Sequence, residues 1–205
     1  MKLNWANRIT ILRIFLIIPF VSFMLKINDS VLGETMRYAS IAIYIAMLIG
    51  DAFDGHLARK NNQITRFGTF LDPVADKLLI TCACLLLASQ RAHVEGFLLP
   101  PTVVVFIIGR DVFLLIGFLI VYFITSQLYI APLLIGKIAG RTQLTMIVAI
   151  LTAPEVSRVF PEWIWFLRTL WWSAAGIAIL AALIYIRSGS RYIEQYEKTN
   201  ASREA

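Results

Sequence analysis

Charge is scarce in this sequence of 205 residues: 16% are Asp, Glu, Lys or Arg, 59% are apolar, and the mean hydropathy is +0.73. Domains solvated by water on all sides carry about 25% charged and about 45–50% apolar residues, so lipid is the expected solvent. Cysteine is almost missing. Cys82 and Cys84 share one apolar run and point apart at i, i+2 on a helix, which excludes a disulfide framework and a paired metal site and leaves packing. No internal repeat occurs, which argues against a transporter built from two pseudo-repeated halves. No segment is low in complexity, and no small-residue cleavage site follows the first apolar run, so that run is expected to stay as a span.

Apolar runs are abundant. They lie at 9–25, 38–57, 67–89, 98–124, 133–153 and 163–186, and about 20 such residues cross a bilayer as a helix. The predicted fold is therefore an all-α membrane bundle of six transmembrane helices, a single domain over 1–205, with a polar tail at 187–205 that is helical through Arg191–Lys198. With the N-terminus in the cytoplasm, eleven basic residues fall on that side, among them Arg59, Lys60, Arg66, Lys137 and Arg141. Only Lys26, Arg37, Arg91 and Arg158 fall on the other. That asymmetry satisfies the positive-inside rule and returns the C-terminus to the cytoplasm. The net charge of +6 thus reads as topology. The basic residues flank spans rather than form one stripe, which argues against nucleic acid as a partner.

Four carboxylates interrupt two of these runs: Asp51 and Asp54 near the end of the second, Asp72 and Asp76 near the start of the third. A carboxylate inside a span costs a few kcal/mol and is functional by default. Spacings of i, i+3 and i, i+4 put each pair on one helix face. Asp51 lies roughly 12 Å before Arg59 and Asp76 roughly 15 Å after Arg66 along their helices, so a hairpin through the polar stretch 59–66 brings both pairs to a similar depth. Four converging carboxylates repel unless cations intervene. One or two divalent ions such as Mg²⁺, which prefers carboxylate oxygen and completes its shell with substrate phosphate, resolve the conflict.

The same residues spell a family pattern. Asp51-x-x-Asp54-Gly55-x-x-Ala58-Arg59, eight residues, then Gly68-x-x-x-Asp72-x-x-x-Asp76 resembles the signature of the CDP-alcohol phosphatidyltransferases at every defined position of its 26 residues. The resemblance implies transfer of a phosphatidyl group from CDP-diacylglycerol to an alcohol with release of CMP, at two Mg²⁺ or Mn²⁺ ions. It implies metal ligation by Asp51, Asp54, Asp72 and Asp76, with Asp76 also the general base. Gly55, Ala58, Arg59, Thr65 and Gly68 would bind the CDP-lipid, and so would Asn7, Thr10 and Arg13, which resemble an Asn, a Thr and an Arg of relatives entering the first span. Asn7 as a helix cap and Arg13 as a snorkelling cation are the plainer alternatives. The resemblance also implies a homodimer, embedded in a bacterial inner membrane with its active site opening to the cytoplasm.

Arg110, Lys137 and Arg141 are the candidate acceptor contacts. A cation as deep in an apolar run as Arg110 needs an anion: either a neighbour such as Asp111 or Asp72, or the phosphate of an acceptor such as glycerol 3-phosphate. Relatives making phosphatidylglycerophosphate are similar at Arg110, Lys137 and Gln143. Arg110-Asp111 followed by an uncharged helix, with Phe118 where those relatives carry a second Arg, looks instead like the cardiolipin synthases of the family, whose acceptor is phosphatidylglycerol. Glycerol 3-phosphate is the favoured expectation. A membrane transporter with a carboxylate cation site is the alternative from another class. His56 reads as a packing residue, and Trp163, Trp165, Trp171 and Trp172 as interfacial anchors and lipid-facing bulk.

Overall fold

A computed structural model describes residues 5–60, 66–125 and 134–204, excluding the side chains of 5–10, 51–60, 66–74, 118, 122, 124, 125, 193 and 195–204. All of its regular structure is helical: α1 (Trp5–Met24), α2 (Gly33–Lys60), α3 (Arg66–Leu87), α4 (Pro101–Thr125), α5 (Leu134–Leu151), α6 (Ala153–Val159) and α7 (Trp163–Glu204). Each apolar run has become one long helix. Three are long and apolar enough to cross a bilayer, over Pro101–Val121, Leu134–Leu151 and Trp163–Tyr192, and Ile11–Met24 is a shorter apolar helix. The chain is an integral membrane protein.

Two elements depart from the expected layout. The short α6 was not anticipated; Pro154 cannot donate into the α5 ladder, so the chain breaks near Thr152 and a new turn begins with Pro154 in its first positions. At the other end, α7 continues to Glu204 without a break at the lipid boundary. Its polar extension has no proline and contains the i, i+4 pair Glu194 and Lys198, an order that supports a solvated helix.

The chain forms two compact units. The first holds residues 1–100 and 145–167. Here α1 packs on both α2 and α3, using a single stripe of Arg13, Ile17, Phe20 and Met24. The facing stripe of α2 is Gly33, Arg37, Ser40, Tyr44 and Met47, and that of α3 includes Ala75, Leu79, Ala83 and Leu87. The Phe20 and Tyr44 rings meet at 5.7 Å between centroids. Spacings of three and four residues keep each stripe on one face. In lipid such stripes are held by close packing more than by expulsion of water.

The α1–α2 turn is tightly built. Asp29 accepts the backbone N–H groups of Val31 and Leu32 through one carboxylate oxygen, at 2.9 and 3.1 Å. A side chain at Gly33 would collide with the Ile27 carbonyl oxygen, so glycine is required there. At that end of the unit Arg37 is nearly buried and bidentate on Glu155: Nη1 donates to Oε2 at 2.7 Å and Nη2 to Oε1. Arg37 also donates to the Leu151 carbonyl at 2.9 Å, and the Tyr38 hydroxyl donates to Glu155 at 2.8 Å. The start of α2 is thereby fastened to the α5–α6 corner, where Trp163 Nε1 also donates to the Ala149 carbonyl at 3.3 Å.

The second unit holds residues 101–144 and 168–205. Its buried positions include Val103, Val104, Ile107 and Arg110 on α4, Ala139 and Gln143 on α5, and Trp171, Ala174, Ala175, Ala178 and Ala181 on α7. The alanine stripe permits close helix approach. Trp171 is 5% exposed and so packs inside rather than facing lipid, whereas Trp165 and Trp172 are exposed as expected.

Candidate active site

The four aspartates sit on two helices that run unbroken through their positions, α2 to Lys60 and α3 from Arg66. The side chains of Asp51, Asp54, Asp72, Gly55, Ala58, Arg59 and Gly68 lie outside the described residues, as do those of Asn7, Thr10 and His56 and the whole of Thr65. Asp76 is described, and it is not alone. Arg13 on α1 donates from Nη1 to Asp76 Oδ1 on α3 at 2.9 Å, across 63 residues of sequence. The Arg13 side chain is 3% exposed and that of Asp76 43%. Snorkelling is therefore the wrong description of Arg13: its cation is turned inward to a carboxylate, since a paired charge costs far less in a low-dielectric interior than an unpaired one.

Tyr44 adds an unforeseen polar atom to this unit. Its ring is fully buried against Phe20, and among the described residues no hydrogen-bond partner reaches its hydroxyl. The α2 stripe 33, 37, 40, 44, 47 continues by the same arithmetic to 51 and 54. A lone tyrosine in an apolar run gives no sign of this in the sequence; only the packed register shows it. Cys82 and Cys84 form no disulfide, and Cys84 is buried, consistent with packing.

The second unit has a polar cluster of its own. Arg110 is buried and pairs with Asp111 at 2.8 Å through Nη1, while its Nε has no hydrogen-bond partner among the described residues. Its other terminal nitrogen approaches α5 at Gly136. A Cβ there would lie 3.3 Å from Arg110 Nη2 and 2.7 Å from the Tyr185 hydroxyl of α7. The absence of a side chain at Gly136 thus lets a guanidinium and a phenol reach the same stretch of α5 backbone. Gln143, seven residues on and on the same α5 face, is completely buried, and among the described residues neither amide atom is bonded. Lys137 and Arg141 are exposed on α5, one turn apart. Tyr185 was not foreseen; in a span rich in aromatic residues nothing marks one tyrosine out.

Buried polar atoms without partners are uncommon and call for an explanation such as a ligand. Among the described residues no group of three or more His, Cys, Asp or Glu side chains is placed to hold a metal. The donor set suited to hard divalent cations remains the four aspartates, of which Asp76 is described, and a carboxylate 43% exposed beside a buried cation is chemically fit to take part.

An all-helical membrane protein whose interior holds an ion pair and unpartnered polar groups has the makings of an enzyme working at the lipid boundary. Residues 3–186 match the family model of the CDP-alcohol phosphatidyltransferases, and the chain belongs to that family of transferases. It is similar to the CDP-diacylglycerol–glycerol-3-phosphate 3-phosphatidyltransferase of Bacillus subtilis (strain 168), 37% identical over 155 residues that cover 72% of this chain and 76% of that one. The protein of the same name from Escherichia coli (strain K12) is 30% identical over 196 residues, 94% of each chain. Membership of an enzyme family displaces the transporter alternative.

Proposed function

We propose that this enzyme transfers the phosphatidyl group of CDP-diacylglycerol to glycerol 3-phosphate, giving phosphatidylglycerophosphate and CMP. Both similar proteins carry that acceptor in their names, and this favours glycerol 3-phosphate over phosphatidylglycerol. The observation that carries the reading is the inward-facing pair that joins Arg13 of α1 to Asp76, one of the family's four aspartates, on α3.

Asp51, Asp54, Asp72 and Asp76 would hold two Mg²⁺ or Mn²⁺ ions, which supply charge neutralisation for the diphosphate and for the departing CMP. Asn7, Thr10, Gly55, Ala58, Arg59, Thr65 and Gly68 surround the cytidine diphosphate portion, with Arg59 suited to a bidentate hold on phosphate, while Arg13 acts on that portion through Asp76. Asp76 accepts the proton of the acceptor hydroxyl, whose oxygen forms a bond to the lipid-linked phosphorus as the anhydride bond to CMP breaks. A base within hydrogen-bonding reach is needed because an alcohol is a poor nucleophile at neutral pH. Arg110, Lys137 and Arg141 provide positive charge for the acceptor's phosphate, and Tyr185 and the unbonded Gln143 amide provide hydrogen bonds for it. Six spans with both termini in the cytoplasm of a bacterial inner membrane, and a homodimer, complete the proposal.

The test is direct. Purified enzyme with CDP-diacylglycerol and a panel of acceptors should release CMP with glycerol 3-phosphate, and mass spectrometry should identify phosphatidylglycerophosphate. Cardiolipin formed from phosphatidylglycerol, with glycerol 3-phosphate inert, would reassign the acceptor; no CMP release with any alcohol would overturn the reaction.

A further inference from the structure

We infer that Arg13 is a positioning residue for Asp76, which sets the orientation of that carboxylate and acts as the cluster's own counter-cation. Three observations point there. First, the guanidinium is spent inward: Nη1 lies 2.9 Å from Asp76 Oδ1, and only 3% of the Arg13 side chain is exposed. Second, the pair is unequal, because Asp76 keeps 43% exposure and so faces the open side while its partner is locked in the α1–α2–α3 packing. Third, Arg13 belongs to the stripe on which α1 packs, with Ile17, Phe20 and Met24 following it, so its backbone is fixed by the same contacts that hold the unit together. A rigid, planar, always-charged donor is suited to holding a carboxylate in one rotamer. A general base gains from that, because a misplacement of about 1 Å at the reacting centre costs on the order of 100-fold in rate. The single positive charge also offsets part of the repulsion among the aspartates.

This inference rests on the assignment of Asp76 as base and metal ligand, and two variants examine it. Arg13→Gln removes both charge and fork; Arg13→Lys keeps the charge and loses the planar geometry. Turnover and Michaelis constants are read with CDP-diacylglycerol and glycerol 3-phosphate. Mn²⁺ binding is read separately by electron paramagnetic resonance, on protein without CDP-lipid. Arg13→Gln should lower kcat about 10- to 100-fold, the value of a charge-assisted hydrogen bond, and leave KM for the CDP-lipid within about twofold. It should also tighten Mn²⁺ by at least about threefold, because a neighbouring positive charge has gone. Arg13→Lys should bind Mn²⁺ as the parent protein does, yet recover only part of kcat.

Opposed shifts in turnover and metal affinity are what a merely structural role cannot produce; a fall in both would overturn the inference. A KM for CDP-lipid raised tenfold with kcat retained would overturn it in favour of direct contact with the substrate. Parent protein that binds no Mn²⁺ would end the metal assignment itself. Mn²⁺ bound normally, with kcat unchanged in Arg13→Gln, would end this inference alone.

Discussion

Substituting Glu155→Gln keeps the shape of a side chain on α6 while removing the charge that Arg37 grips with both terminal nitrogens. The guanidinium holds the Glu155 carboxyl down from 4.5 to about 2. At about 1.4 kcal/mol per tenfold change in proton affinity, that depression sets a ceiling of about 3 kcal/mol. Glu155 keeps 35% of its side-chain surface in water, so solvent screening reduces its share to about 1–2 kcal/mol. Arg37, nearly buried, retains the Leu151 carbonyl, the Tyr38 ring and one amide oxygen at position 155 after the substitution, but no anion, and the uncompensated cation raises the total loss to about 2–3 kcal/mol. For a chain of this size that is about 5–10 °C in melting temperature, read by thermal denaturation in detergent.

The sign with pH follows from the lowered value. The ion pair contributes fully above the ordinary carboxylate range, and its contribution is lost as pH falls through about 2. The gap between parent and variant should therefore be constant at neutral pH and close on acidification below about 4.5. The double variant Arg37→Met/Glu155→Leu should be more stable than Glu155→Gln, since no buried charge is left unpaired. Asp51 lies 14 residues further along α2, about 21 Å, so kcat at moderate temperature should not change. A Glu155→Gln protein melting within about 1 °C of the parent, or a gap indifferent to pH, would refute the clamp.

Asp76→Asn should abolish CMP release while preserving the helical spectrum and detergent elution profile; parent-level turnover would remove the proposed base. Chelation with EDTA should stop the reaction, with Mg²⁺ or Mn²⁺ restoring it; full activity after exhaustive chelation would contradict the metal assignment. Lys137→Ala should raise KM for glycerol 3-phosphate at least about tenfold, a charge-assisted contact, and leave that for CDP-diacylglycerol near its starting value; equal effects on both would remove Lys137 from the acceptor contacts. Gly136→Val should also act on the acceptor KM, because its first side-chain atom would fall 2.7 Å from the Tyr185 hydroxyl and 3.3 Å from Arg110 Nη2. An unchanged acceptor KM in that variant would show that the cluster does not serve the acceptor.

Much of this protein was legible from composition and spacing. Runs of apolar residues had to become helices, because a backbone in lipid must satisfy its own hydrogen bonds, and each run did. Aspartates in such runs are costly, so Asp51, Asp54, Asp72 and Asp76 stood out as candidates, and their spacing carried the family. Proline chemistry was less legible: Pro154 ends α5 and opens α6, where hydropathy alone saw the end of a run.

What tertiary structure alone decided is which face of each helix turns inward. Apolar residues cover nearly the whole circumference of these helices, so no moment marks the packed side. For Arg13 a place in the site and a snorkelling cation were both open, and the fold turns it inward to Asp76 from 63 residues away. Arg110 had two open partners, and the fold gives it Asp111 together with an approach to Gly136 and Tyr185. Arg37 counted in the sequence only as a basic residue beside a span, and its pairing with Glu155 appears only where α2 meets α6. A linear sequence fixes how often a charge can be tolerated in lipid; which opposite charge it meets depends on helix rotation and packing, and these are settled only when the helices assemble.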